Sequence, residues 1–429
     1  MRLHFLNKLC LDFVGAAYLF SIHKLNGGIM PTYQGIILDQ GGDVYNVNAY
    51  GGSIQAALDA AVLAGRGIVF VPPGIYNVTS PILIEGKQDI SLIGAGPNLT
   101  QLVQANDQGV IIVRDDGSHP SSRIKIQSMW IGISEGTPRI GGAGISLSSS
   151  IATPLDTILV SDIILQNVPY PFICDNVHQS TFDKIKVVSN IANAVKGVCC
   201  QVKNSNSIRL KDLLILPVIS PATKYPFAGL LIEADCDTII VTDSEIADSQ
   251  VQGVILTGGT SGPRLVRLDN VYVELCQDSG FYIQNGRDVR LSGCHAAVND
   301  GDGFAVVAGN SVTITNSLSL QNKHHGFFVS GGTGVKIEGC TASNNSQLQD
   351  NTYCGCYVGN AQAVSGVRVI GNRFGDFIFS MPNQQKYGLV LAANTSYIIA
   401  TSNDLIGNKT SGLLNASTGQ GIIVQNNLT

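Results

Sequence analysis

A parallel β-solenoid is the fold class predicted for this chain, on three observations: one motif written three times, a shared spacing, and a composition suited to tight coils. Gly280-Phe281-Tyr282, Gly303-Phe304-Ala305 and Gly326-Phe327-Phe328 follow one another at a constant interval. Val289-Arg290-Leu291, Val312-Thr313-Ile314 and Val335-Lys336-Ile337 repeat at that same interval. Each unit contains two short apolar strands bounded by Gly, Asn, Asp or Ser, with no helical period between them. One such unit cannot bury its own apolar face, so it must stack on copies of itself.

Composition agrees. The 429 residues include 48 glycines, and only 13% are charged. Gly and Asn accept the positive φ of tight turns, and β-branched residues suit strands inside a narrow coil. Net charge is −5, and there is no dense Lys/Arg run, which argues against nucleic-acid binding. The ten cysteines lack zinc-site spacing. Cys294, Ser317 and Cys340 share one repeat position, so buried free thiols are expected rather than a disulfide set. The spacing does not place Cys199, Cys200, Cys354 or Cys356.

Residues 1–29 read as a leader or a misassigned start, with Met30 as an alternative beginning. Their apolar run, Leu9 to Phe20, is broken by Asp12; it is too short to span a membrane and poor as a signal peptide. Residues 30–66 read as a lead-in strand (Gly35 to Asn48) and a capping helix. Ser53 has N-cap chemistry, and Ile54, Ala57, Leu58 and Ala61 line one helical face that ends at Gly65. A short amphipathic helix here would cover the open end of the solenoid. Residues 67–375 read as the solenoid itself. It opens with Gly67 to Gly74, Tyr76 to Val78, Ile82 to Ile84 and Ile90 to Gly94 as short strands between Pro/Gly turns. Residues 376–429, Asn-rich at 394, 403, 408, 415, 426 and 427, read as last coils or a C-terminal cap.

Ser53-Ile54-Gln55-Ala56-Ala57-Leu58-Asp59, followed by Gly67 to Gly74 and Tyr76, resembles the beginning of pectate-lyase-like right-handed parallel β-helix proteins. That superfamily includes polygalacturonases, other polysaccharide lyases and hydrolases, epimerases and phage tailspikes. The resemblance covers residues 44–96, and it supplies the handedness. It departs from the pattern at Tyr50-Gly51-Gly52, which runs straight into Ser53 without the usual Gly/Asp-rich loop. The implied fold is all-β: a single-stranded right-handed parallel β-helix with an N-terminal capping helix. Its coils take the repeat length of about 23 residues, within the range of known solenoid units.

The strand "apolar, often basic, apolar" continues at Ile124 to Ile126, Ile158 to Val160, Ile185 to Val187, Ile208 to Leu210, Ile239 to Val241, Val266 to Leu268 and Val367 to Val369. Longer intervals imply inserted loops, most clearly around Pro217 to Pro226 and Gln347 to Tyr353. Middle positions face outward and stack about 4.8 Å apart. They make a column of Lys186, Arg209, Ile240, Arg267, Arg290, Thr313, Lys336 and Arg368. One reading is a solvated face that resists edge pairing. The other is a track for an acidic polymer, with Arg267, Arg290 and Lys336 as binding residues. Two residues beyond each strand, Asp162, Asp212, Asp243, Asn270, Gly293, Asn316 and Gly339 form a turn column expected to make Asx-turn hydrogen bonds.

Two sets carry candidate chemistry. The first comprises Asp278, Asp300, Asp302, His324 and His325, in the turns before the Gly-Phe strands and expected at matching places on three successive coils. Carboxylates on adjacent coils approach the ~5 Å separation of retaining glycosidases, and wider pairs the inverting range. Crowding like charges keeps one carboxyl protonated. The order is similar to polygalacturonases, which place clustered aspartates before a Gly-His-Gly segment. Here, however, there is no Asn-Thr-Asp, the pair is Asp300-Gly301-Asp302, and the segment is His324-His325-Gly326. Asn-Asp-Gly-Asp-Gly is also good turn sequence. The second set is Glu245, Tyr272 and His295 in one outward column, with Glu274 beside it; its plain reading is a solvated strand face. Tyr282 and Trp130 are candidate sugar-stacking residues.

These features point to a polysaccharide-cleaving glycosidase or lyase working on the outer face, with a uronate-containing glycan as a candidate substrate. The alternative is a non-catalytic structural or receptor-binding protein of tailspike type, for which the resemblance implies a homotrimer. No cofactor is expected for a hydrolase. A calcium-dependent lyase would use several carboxylates around one Ca2+ and a basic residue to abstract the proton, with Asp278, Asp300, Asp302 and Lys323 available. An extracellular or virion-associated location fits both readings.

Overall fold

The computed structural model describes residues 44–429, except 134–135, 137–138, 192–193, 218–227, 234, 260–261, 360–362 and 378–383. It also describes the backbone of Ala16–Leu25 and Gly28–Leu38. These two strands pair antiparallel with each other, apart from the coils. The remainder of the leader and the insert at 218–227 lie outside the described residues.

Ser53 caps a helix over Ile54–Leu63, its side chain accepting the Ala56 N–H, and Ile54, Ala57, Leu58 and Ala61 are its buried residues. The helix closes the end of a stack of about 13 coils. Every coil contributes one strand to a 13-stranded parallel sheet running from Ile82–Glu85 to Ser411–Asn415. The rest of each coil forms a second, bent sheet in two limbs, such as Arg287–Ser292 and His295–Ala297. Coils average about 27 residues. The shorter repeat interval holds where Phe281, Phe304 and Phe327 pair in register, and insertions lengthen the others. The C-terminal segment supplies further coils through Tyr387–Leu391, Ile399–Thr401, Ser411–Asn415 and Ile423–Gln425.

The bends are made by single left-handed residues stacked in columns. The turn column expected from sequence is one of these, with φ of 51° at Asp243, 53° at Asn270, 61° at Gly293, 49° at Asn316 and 63° at Gly339. Its side-chain chemistry runs between coils: Asn270 Nδ2 donates to Asp243 Oδ1 at 2.9 Å. A second column bends the chain at Asp248, Leu275, Val298, Gln321 and Asn344, all with φ between 52° and 57°.

Two ladders hold the interior. Phe281, Phe304 and Phe327 stack with centroids 4.8 and 4.9 Å apart. Beside them the buried amides of Asn299, Asn322, Asn345 and Gln385 pass hydrogen bonds from coil to coil, the first three at 2.8–2.9 Å, ending on Asn408. This ladder explains the glycine of each Gly-Phe pair. A Cβ on Gly280, Gly303 or Gly326 would lie 2.9 Å from the amide nitrogen of Asn299, Asn322 or Asn345. Cys294, Ser317 and Cys340 do stack inside, and the nine described cysteines are free and buried. Burial pushes the Cys294 thiol up to about 12.

The basic column needs one correction. Thr181, not Lys186, pairs with Arg209, because that coil is longer than the repeat. Lys186 lies on the other limb, between Ile164 and Leu214. From Arg209 onward the column is in register through Ile240, Arg267, Arg290, Thr313, Lys336 and Arg368.

Candidate functional site

The turns that enter the 13-stranded sheet bring the first set together on three coils, diagonally rather than one above another. Strand register sets Asp278 beside Gly301 and His324, Asp302 between Ser279 and His325, and Asp300 beside Lys323. Gly301 leaves the room that Asp278 occupies: a Cβ there would lie 2.7 Å from Asp278 Oδ1. Asp278 accepts from Gln252 Nε2 and from the Ser279 N–H, both at 2.7 Å. Lys323 Nζ lies 2.7 Å from Asp300 Oδ1.

Asp302 is the buried member, 9% exposed. Its Oδ1 accepts the His325 N–H at 2.9 Å, and its own N–H donates to Ser279 Oγ at 3.2 Å. Burial is the main force raising its carboxyl to about 7; the Asp278 charge adds to it, and the His325 N–H opposes it. Two carboxyls on neighbouring coils thus differ in kind: one buried and proton-retaining, the other accepting on both oxygens.

The two histidines also differ. His324 is half-buried and stacks on Tyr353 at 4.4 Å, and burial lowers its pKa against the pull of Asp278 and Asp300. The Cys354 N–H donates to His325 Nδ1 at 3.0 Å, which leaves the proton on Nε2. Burial drives the His325 imidazole down to about 3, so it stays neutral and offers a donor rather than a titrating base. Its ring packs on Tyr353, Phe328 and Tyr357.

Those contacts join the cluster to the outer surface of the 13-stranded sheet. There Tyr282, Ala305, Phe328, Tyr357 and Val390 follow one another in register, an apolar and aromatic floor where a solvated strand face would be polar. A cleft of about 370 Å³ continues it from His325 past Tyr357, Lys386 and Tyr387 to Leu414. Tyr353 and Lys386 are not among the sequence candidates. Tyr353 comes from the Gln347 to Tyr353 insert, which the broken repeat marks only as a loop.

The second set lies elsewhere. Glu245, Tyr272 and His295 are in register on the second limb of the bent sheet. Tyr272 Oη donates to Glu274 Oε2 at 2.9 Å, and burial together with Glu274 and Glu245 pushes the phenol up to about 12. The bend at Leu275 and Val298 and the buried Asn299 separate this face from the first set. Trp130 is 7% exposed and tied by Nε1 to Gln166, so it offers no stacking face. Within the basic column, Arg267 is paired with Asp269 and Lys336 with Glu338. Among the described residues no three His, Cys, Asp or Glu side chains are grouped to hold a metal. The three aspartates expected to serve calcium each accept from an N–H or ammonium donor.

Comparison with known proteins agrees with this geometry at the level of fold. Residues 228–429 match the family described as "Right handed beta helix region". The chain is a right-handed parallel β-helix. This β-helix superposes with a TM-score of 0.62 on the A-module of the Azotobacter vinelandii mannuronan C-5 epimerase AlgE4, at 13% identity, covering 89% of this chain and 100% of that one. The TM-score is also 0.62 for tailspike protein 3 of bacteriophage CBA120, at 10% identity over 94% of this chain and 65% of that one. Pre-mature gene product 12 of bacteriophage phi29 again gives 0.62, at 13% identity over 88% of this chain and 56% of that one. Comparison with curated protein sequences gave no match. No helix among the described residues is long and apolar enough to cross a membrane.

Proposed function

We propose that the cluster of Asp278, Asp302 and His324, together with the cleft that begins at His325, binds a polysaccharide and cleaves its glycosidic bonds by acid–base chemistry. The supporting observation is convergence: a buried proton-retaining carboxyl, a second carboxyl and a half-buried histidine meet beside an aromatic floor. Asp302 gives its proton to the leaving oxygen as the C–O bond breaks. Asp278 takes the proton of the attacking water as the new bond forms, or itself attacks in a retaining variant. Tyr282, Phe328 and Tyr357 take sugar faces, and Lys386 supplies a cation for a uronate carboxylate. The epimerase that shares the fold is named for a uronate polymer, which makes uronans the first class to test.

A screen of neutral and uronate polysaccharides tests this reading, with reducing ends and unsaturated products measured together, with and without chelator. New reducing ends without unsaturation support hydrolysis. Unsaturated product lost with chelator moves the assignment to a metal-dependent lyase. A second reading, a non-catalytic glycan-binding or structural β-helix, draws support from the turn N–H groups that Asp278 and Asp302 hold. Tight binding without product would favour it, and a trimer in light scattering would fit its tailspike character.

A further inference from the structure

A cleft of about 450 Å³ crosses the first limb of the bent sheet near its C-terminal end, a face the acid/His cluster does not use. Lys336 and Arg368 stand in register on neighbouring coils along it. Lys336 is held by Glu338, whereas the exposed Arg368 side chain has no ion-pair partner among the described residues. Two residues before the Arg368 register, the corner column reads Gly334, Gly366, Tyr397 and Gly421, with φ of 69°, 70°, 53° and 68°. Three coils thus use the residue that tolerates this backbone, while the fourth places an aromatic there.

A left-handed tyrosine is strained relative to glycine, and its ring is not used in the core, being 59% exposed. Gly421 accommodates the ring, since a Cβ there would lie 2.7 Å from Tyr397 Cδ1. The result is an aromatic face beside a free guanidinium and a second cation.

We propose that Arg368, Tyr397 and Lys336 form an accessory binding site for an acidic polysaccharide, one uronate residue stacking on Tyr397 with its carboxylate on Arg368. A guanidinium matches a carboxylate in bidentate fashion, and a pyranose ring presents C–H groups to an aromatic face. Two cations are too few for a nucleic-acid track on a chain of net charge −5. The site does not depend on catalysis at the acid/His cluster.

Equilibrium binding of an alginate oligosaccharide, with a dextran oligosaccharide and poly(U) as controls, tests the proposal in an Asp302→Asn, Lys386→Gln background, so that neither turnover nor the cation beside the aromatic floor confuses the readout. Alginate binding that weakens at least tenfold in Arg368→Gln and in Tyr397→Gly, and weakens with added salt, is the expected result. Tyr397→Gly suits the backbone and keeps the fold, which circular dichroism checks. Absent alginate binding, binding indifferent to both substitutions, or equal binding of dextran or poly(U) would overturn the site. Activity of the unsubstituted protein on the polysaccharide panel is a separate result and can fail or succeed independently.

Discussion

Asp302 and His325 face each other on neighbouring coils, the Oδ1 of the first accepting the main-chain N–H of the second at 2.9 Å. That bond holds the buried carboxyl in the turn without removing its ability to carry a proton. Asp302→Asn keeps an acceptor oxygen for the His325 N–H and deletes the proton donor. Activity should fall by about 10²–10⁴ with the fold retained by circular dichroism. In the unsubstituted protein, kcat/KM should decline as pH rises through about 7, where Asp302 loses its proton. Undiminished turnover by the folded variant would remove Asp302 from the mechanism.

The same pair sets opposing pH dependences of stability. Asp302 has a raised pKa in the fold, about 7, so the native state holds an extra proton above the unfolded value of about 4. Its contribution favours the fold below about pH 4 and is lost as pH rises through 7. His325 is depressed to about 3; its contribution is present above about 6.5 and is lost as pH falls toward 3. Urea midpoints of Asp302→Asn, relative to the unsubstituted protein, should therefore rise between pH 4 and 7 and level off above. A difference that is flat across that range would contradict the burial of this carboxyl.

Asn322 is fully buried, and its amide donates to Ala296 O at 3.1 Å, Ser319 Oγ at 3.0 Å and Asn345 Oδ1 at 2.8 Å. Asn322→Leu strands donors and acceptors on both neighbouring coils, at a cost of about 3 kcal/mol or more. Thermal denaturation should show a large loss of stability. Hydrogen exchange should show the coils around Ser319 and Asn345 opening first.

Val298 holds φ 55° at a bend and is 42% exposed. A β-branched residue is poorly suited to that backbone, and little of its side chain is used in the core. Val298→Gly should raise stability by about 1 kcal/mol, read as a higher urea midpoint. A lower midpoint would show that the side chain packs more than its exposure implies.

Local chemistry was legible in residue order. Ser53 and the Ile54, Ala57, Leu58, Ala61 stripe described the capping helix because a helix is set by neighbours three and four positions apart. The Gly-Phe motif marked the aromatic stack because its coils have equal length. Where lengths differ, spacing misleads: Lys186 looked like the neighbour of Arg209, and the longer coil put Thr181 there instead. The acidic and histidine residues of the first set were visible, but their diagonal arrangement was not. Nor was Tyr353, since an insert's return path is not encoded in a period.

By itself, the sequence determined that identical short strands must stack, and which side chains point inward, since strand alternation and burial of apolar area are properties of each unit. Tertiary structure alone decided which coil meets which and what lies across each corner. Only there did Asn299, Asn322 and Asn345 become one hydrogen-bonded ladder, and Asp302 a buried carboxyl beside Asp278. The physical reason is that register between coils depends on loop length and packing, and desolvation exists only once the neighbouring coil is in place.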